Sequence, residues 1–212
     1  SRGIRGAEIA KGAMRDLTLL FAQQGQICGA MNFPSSYEWL GSLGVLPRCI
    51  QEALKLHGTA EVVGKGSNAT IIGWRDELNQ NGVKIAGYSD DDIPWCGLFA
   101  AIVAFRARGA AEVVKEPLWA LNWAKFGGKS PQAGLGDVLA FQRNGGGHVG
   151  FYIAEDATCY HVLGGNQSNR VSITRVEKSR CKAVRRPPYR NMPNSVKRYA
   201  VNAKGAVSKN EA

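Results

Sequence analysis

The sequence lacks any apolar run long enough to cross a membrane. None approaches the roughly 20 residues that a transmembrane helix requires. The apolar segment at residues 17–22 is too short for the core of a secretory signal peptide, and no small-residue cleavage site follows it. We therefore expect no membrane span and no signal peptide, so action outside the cytoplasm would require another route.

Metal-binding patterns are also missing. The three histidines are scattered singly, and the five cysteines form no CxxC pair of the kind found in zinc sites. We expect neither a metal nor another cofactor. An odd number of cysteines leaves at least one thiol unpaired within the chain, while Cys159 and Cys181 could form a disulfide.

Acidic residues are few relative to basic ones. The chain has 17 Asp and Glu against 27 Lys and Arg, which gives a formal net charge of +10. Such a charge attracts polyanions, including nucleic acids and anionic cell envelopes. Because no zinc finger and no pattern of basic and aromatic residues accompanies it, we expect no specific nucleic-acid partner.

The pattern along the chain predicts helices first and strands afterwards. An amphipathic helix is predicted over residues 6–24, followed by a Gly-, Pro- and Ser-rich stretch up to residue 46. Further helices are predicted at 48–57, 67–78, 93–108 and 118–125, and strands at 137–142, 148–154, 159–164 and 170–176. We therefore predict an α+β fold with three parts: a helical extension (1–46), a catalytic domain (47–190) and a basic tail (191–212).

Cys96 is the strongest candidate for a catalytic residue. Asp92 suits an N-cap and Pro94 suits a first helical turn, so Cys96 is expected at the start of a strongly apolar helix. The N–H groups and the positive dipole end there are expected to lower the pKa of the thiol and to hold an oxyanion. Gly97 would leave space beside the sulfur for a substrate.

A thiol nucleophile needs a base, and the base needs a third group that orients it. His148 follows a glycine-rich turn and opens a predicted strand, whereas the rival His161 lies inside an apolar strand and is expected to be structural. The proposed third residue is Asn166, at the end of the next strand, because neighbouring antiparallel strands bring such positions together. Gln167 and Asn169 remain alternatives.

Four motifs, in this order, resemble the CHAP/NlpC-type peptidoglycan hydrolases. They are Pro94-Trp-Cys-Gly, Gly136-Asp-Val-Leu-Ala-Phe, Gly147-His-Val-Gly-Phe-Tyr and Gly164-Gly-Asn-Gln-Ser-Asn. The stretch from residue 58 to residue 69 is similar to a subfamily common in phage lysins. The resemblance covers roughly residues 47 to 190.

The resemblance implies a papain-like fold, in which the nucleophile begins a helix that packs on a small antiparallel sheet. It implies Cys96 as nucleophile, His148 as base and Asn166 as third residue, without a metal. The expected substrate is bacterial peptidoglycan, cut at an amide bond of its peptide part by an endopeptidase or an N-acetylmuramoyl-L-alanine amidase. The residues expected to contact the substrate are Trp95, Gly97, Trp119, Trp123, Gly147 and Gln167.

Such an enzyme would be a phage lysin or a virion-associated lysin, delivered to the cell wall by phage lysis, a virion or a secretion apparatus. The alternative is a structural component of a virion or secretion apparatus that carries a hydrolase-like domain. In that case residues 1–46 would attach it to the larger assembly.

Overall fold

The computed structural model describes residues 33–202 and 207–208 of the chain. The α-helices in this part are α1 (Arg48–Lys55), α2 (Ala69–Gln80) and α3 (Cys96–Arg108). Short 3-10 helices form at Glu38–Ser42, Ala110–Glu112, Ala120–Lys125 and Lys178–Arg180. The strands are β1 (Gly128–Lys129), β2 (Val138–Arg143), β3 (Gly146–Glu155), β4 (Cys159–Gly164), β5 (Ser172–Glu177) and β6 (Cys181–Arg186).

The strands form one antiparallel sheet in the order β1-β6-β2-β3-β4-β5. All three α-helices precede it in the chain, so the predicted α+β class is confirmed. Among the described residues, no helix combines the length and the apolar character needed to cross a membrane.

Helix α3 is the centre of the core. Every residue from Cys96 to Ala104 is buried, because this segment carries no polar side chain on any face before Arg106. The helix contacts α1, α2 and β3. The ring of Phe99 meets that of Phe151 on β3 edge-on, with the centroids 6.2 Å apart. One face of the sheet is thereby fixed against the helix that begins with Cys96.

A tight hairpin joins β2 and β3. Gly145 in its turn has a φ of 77°, which glycine adopts without strain. The register pairs Phe141 with His148, so the histidine lies near the turn. Strand β4 runs back beside β3 and ends at Gly164, which brings the residues after β4 to the same end of the sheet as His148.

Residues 33–46 and 191–202 pack against residues 47–190. Leu40 is fully buried, and the Tyr37 hydroxyl lies 2.7 Å from Nδ1 of His161. The Ser195 hydroxyl donates to the carbonyl of Val45 at 2.6 Å, which ties the two flanking segments to each other. The described parts of the predicted extension and of the predicted tail therefore belong to the same compact unit as the sheet. The helix predicted over residues 6–24 lies outside the described residues.

The disulfide that the sequence allowed is not formed, since Cys159 and Cys181 are both free thiols. Cys159 lies on β4 and Cys181 on β6, and two strands separate β4 from β6 in the sheet. Three strand spacings amount to about 14 Å. A disulfide requires Cα atoms within about 7 Å, so the sheet itself keeps the two cysteines apart.

A buried ion pair joins the two ends of the sheet-forming region. The Asp137 side chain is fully buried, and Arg186 on β6 donates to both of its oxygens, at 2.9 and 2.8 Å. The backbone N–H of Gly134 donates to the same carboxylate at 2.9 Å. Asp137 therefore has a structural role, since its carboxylate holds the entry of β2 to β6 and to the turn at Gly134.

Replacing Asp137 by Asn is expected to lower the free energy of unfolding by about 2 to 3 kcal/mol, because charge-assisted hydrogen bonds to a buried group are lost. Urea denaturation would measure the change. The matched control is Asp76→Asn, which removes the exposed pair of Asp76 with Arg75 and should cost no more than about 0.5 kcal/mol. Equal stability of the two variants would contradict the structural role of Asp137.

Candidate active site

Cys96 is the first residue of α3, as the sequence predicts, and the residue that caps the helix is Trp95 rather than Asp92. The thiol is 4 % exposed. The backbone N–H of Val149 reaches its sulfur, as do the N–H groups of Cys96 itself and Gly97. Since Val149 directly follows His148, the sulfur lies beside the first residues of β3.

Burial raises the pKa of the Cys96 thiol above its ordinary value. The three backbone N–H groups and the nearby charge of Arg143 favour the thiolate, but desolvation outweighs them. The expected lowering of the pKa by the helix start is therefore wrong. Burial therefore favours the neutral thiol, so Cys96 would need a base in order to act as a nucleophile.

His148 is 1 % exposed, and its Nε2 lies 3.0 Å from Oε1 of Gln167. The orientation of the Gln167 amide follows from its other contacts, since its NH2 group donates to the carbonyls of Val162, at 3.1 Å, and Ser172, at 2.5 Å. Only the amide oxygen is left to face the imidazole. Nε2 of His148 must therefore carry the proton, so Nδ1 is the basic nitrogen of the ring.

The side-chain amide that lies against the His148 imidazole is that of Gln167, one of the alternatives that the sequence left open, and not that of Asn166. The backbone of Asn166 is left-handed, with a φ of 55°, and its Oδ1 has no hydrogen-bond partner among the described residues. Asn169 is exposed, and its carbonyl accepts from the N–H of Glu61 at 2.9 Å. An amide does orient the base, but it comes from the neighbouring position.

His161 belongs to a different network. Its Nδ1 faces the Tyr37 hydroxyl at 2.7 Å, and its Nε2 faces a carboxylate oxygen of Asp156 at 3.0 Å. Arg175 donates to the same oxygen at 2.7 Å. Both ring nitrogens are occupied by structural contacts, and burial lowers the pKa of this histidine. His161 therefore connects residues 33–46 to the sheet.

The residues expected to contact a substrate fall into two groups. Trp95 and Trp123 are fully buried, with their indole N–H groups bonded to Glu61 and to the carbonyl of Pro117. They support the site from inside, so direct contact with a substrate is wrong for both. Trp119 is 71 % exposed and remains a candidate for such contact.

Gly97 and Gly147 are required by close approaches of the protein to itself. A Cβ at Gly97 would lie 2.3 Å from the carbonyl oxygen of Pro117, and one at Gly147 would lie 2.7 Å from Cγ of Leu121. Substituents at these positions would displace the segment at 117–121 that flanks the start of α3. These two glycines therefore allow close packing around the site. The space beside Gly97 that was expected to hold a substrate is filled by the protein itself.

Gly164 and Gly165 allow close contacts at the site. The sequence indicated them only as part of a motif. A Cβ at Gly165 would lie 2.5 Å from Cβ of Phe99, and one at Gly164 would lie 3.1 Å from Nε2 of His148. The end of β4 can thus reach both α3 and the imidazole. A glycine pair directly after a buried strand is the signal that could have identified it.

Together the site holds a thiol beside three backbone N–H donors and an imidazole with a fixed tautomer, which are the components of nucleophilic acyl transfer. No model of a known protein family matches the chain, and a search of curated proteins finds no match either. Cys96, His148 and Gln167 themselves are therefore what indicates a function.

The raised pKa of Cys96 predicts how its alkylation depends on pH. We expect the rate with iodoacetamide to keep rising above the ordinary thiol pKa of about 8.5, because the neutral form is favoured by burial. Peptide mass spectrometry would follow Cys96 separately from the other cysteines. A rate that reaches its plateau below pH 7 would show a stable thiolate and contradict the neutral resting state.

The two neighbouring amides can be distinguished by substitution. For the hydrolysis that the resemblance implies, Gln167→Ala should lower kcat roughly 10- to 100-fold, because His148 loses the group that fixes its tautomer. The pH profile of kcat should shift as well. Asn166→Gly is the control, since it removes a side chain whose oxygen has no described partner and suits the left-handed backbone. An Asn166→Gly variant that loses as much activity as Gln167→Ala would restore Asn166 as the third residue.

Proposed function

We propose that this protein is a papain-like cysteine hydrolase that cleaves an amide bond in the peptide part of bacterial peptidoglycan. The observation that carries the proposal is the fixed pairing of His148 with Gln167 beside the strand whose Val149 N–H reaches the Cys96 sulfur. A histidine held in one tautomer next to a thiol at a helix start is the arrangement that an acyl-transfer enzyme needs.

In the proposed reaction, Nδ1 of His148 takes the thiol proton as the Cys96 sulfur attacks the carbonyl carbon of the substrate amide. The N–H groups around the start of α3 are donors for the negative charge that develops on the carbonyl oxygen. Because burial favours the neutral thiol, His148 has to remove the thiol proton before or during the attack. Gln167 accepts from Nε2–H throughout and stabilises the imidazolium.

The imidazolium then returns its proton to the amide nitrogen, and the amine leaves as the C–N bond breaks. This step leaves the acyl group on Cys96 as a thioester. His148 next removes a proton from a water molecule, whose oxygen attacks the thioester carbonyl. The thiolate leaves and is reprotonated by His148, so the site returns to its starting state with one water consumed.

Three features support peptidoglycan as the substrate. The ordered motifs around Cys96, His148 and Gln167 resemble those of CHAP/NlpC-type hydrolases, whose substrates are cell-wall peptides. The formal charge of +10 favours association with an anionic cell wall, and added salt would weaken this attraction. The exposed Trp119 lies next to the segment that contacts Gly97, where it can contact a bound peptide.

The experiment is digestion of purified bacterial sacculi, with release of new amino groups as the measured quantity. Cys96→Ala, Cys96→Ser and His148→Ala should each lower the rate by at least about 100-fold, because the nucleophile or its base is lost. Cys181→Ser and His57→Ala, which change the same residue types outside the site, should keep the rate close to wild type. Undiminished hydrolysis by Cys96→Ala would sink the assignment.

Mass spectrometry of the released fragments identifies the bond that is cut. An amidase separates the stem peptide from the glycan and exposes the amino group of its first residue. An endopeptidase cuts within the stem or the cross-link and leaves part of the peptide on the sugar. Intact sacculi after treatment with the wild-type protein would favour the structural role that the sequence leaves as the alternative.

A further inference from the structure

A cavity of about 250 Å³ lies at the far end of α3 from Cys96. Three parts of the chain line it: the first turn of α1, the last turn of α3, and residues 187–193. At 1.5 Å per residue, the length of α3 separates this cavity from the nucleophile by about 18 Å. It is therefore distinct from the site of the proposed hydrolysis.

The charged side chains that line the cavity are all positive. Arg48, Arg108 and Arg190 line it, each from a different part of the chain, and no Asp or Glu is among the lining residues. Arg108 has a carboxylate partner in Glu112, whose Oε2 lies 3.5 Å from Nε of the arginine. A guanidinium has five N–H donors, so this single contact leaves most of its donors for another ligand.

Tyr189 also lines the cavity. The Tyr189 hydroxyl is buried and has no hydrogen-bond partner among the described residues. Burial raises the pKa of Tyr189, so the group remains a neutral O–H donor. The nearby carboxylate of Asp137 is held on both oxygens by Arg186, which offsets its repulsion of an anion.

The start of α1 adds to the positive potential. Arg48 and Cys49 are its first residues, and Pro47 before them provides no side-chain cap. The positive end of the helix dipole therefore faces the same cavity. Cys49 is not a reactive thiol, because it donates to the carbonyl of Gly136 and burial raises its pKa to about 12.

We propose that this cavity, the arginine pocket, binds an oxyanion of the phosphate type. Three guanidinium groups and a phenol offer more donors than the two oxygens of a carboxylate accept, whereas a phosphate presents oxygens in several directions. The ligand is inorganic phosphate or a phosphodiester of an anionic polymer, since both present the same group. The proposal is independent of the chemistry at Cys96.

Isothermal titration of the full chain with inorganic phosphate tests the pocket. Binding should weaken at least about ten-fold in the double variant Arg108→Gln/Arg190→Gln, because charge-assisted hydrogen bonds are removed. Tyr189→Phe, which removes only the hydroxyl and keeps the ring, should weaken it by about three- to ten-fold. The Tyr189→Phe variant still tests the pocket if the double variant fails to fold.

The control is Lys129→Gln/Lys182→Gln, which makes the same change in net charge at exposed positions on β1 and β6. It should bind phosphate like wild type. Three results would overturn the proposal. The first is that wild type does not bind at millimolar phosphate, and the second is that the control loses as much binding as the arginine variant. The third is that neither Tyr189→Phe nor the arginine variant changes the binding.

Titration with polyglycerol phosphate at equal phosphate content distinguishes the two sources. Tighter binding of the polymer, dependent on Arg108 and Arg190, supports a phosphodiester ligand. Equal or weaker binding of the polymer supports the free anion in the same pocket. All these measurements use the Cys96→Ser protein as well as wild type, so failure of the pocket and failure of the proposed hydrolase activity remain separate results.

Discussion

The close approach of α3 to the ends of β3 and β4 is the constraint on which the candidate site depends. It is possible only because Gly165 has no side chain, since a Cβ there would lie 2.5 Å from Cβ of Phe99. At the same end of the helix, Gly97 lets the carbonyl of Pro117 come within van der Waals range of the helix start. Cys96 lies at this end of the helix and is 4 % exposed, so the packing here leaves little room for water beside the thiol.

That exclusion explains both the neutral thiol and the way in which the histidine is held. In a region of low dielectric an unpaired polar group is costly, so the amide of Gln167 must satisfy its donors on the carbonyls of Val162 and Ser172. Its oxygen then has one neighbour left, His148. The same burial that raises the pKa of Cys96 thus fixes the tautomer of the base that must remove its proton.

The sequence predicted what local patterns decide and missed what depends on tertiary contacts. The helix start at Cys96 and the strand start at His148 follow from their own neighbours. Whether Asn166 or Gln167 lies against His148 is decided by the backbone, which is left-handed at Asn166, Ser168 and Asn169. This conformation turns those three side chains away from the direction that a regular strand would give them. Likewise, the sign of the pKa shift of Cys96 depends on how deeply residues distant in the sequence bury the thiol. The local pattern at a helix start carries no information about this burial.

The charge of the chain was also only partly predictable. The sequence predicted a basic tail from residue 191 onwards, but Arg198 in it donates to the buried carboxylate of Glu155 at 2.7 Å, as Lys178 does at 3.0 Å. Arg175 and Arg186 are held in the same way by Asp156 and Asp137. All four basic residues are thus paired with carboxylates, and Arg198 ties the segment after β6 to the sheet. Attraction of a polyanion must therefore depend on the remaining basic groups, and Arg48 and Arg190 place part of that charge in the concave cavity at the end of α3.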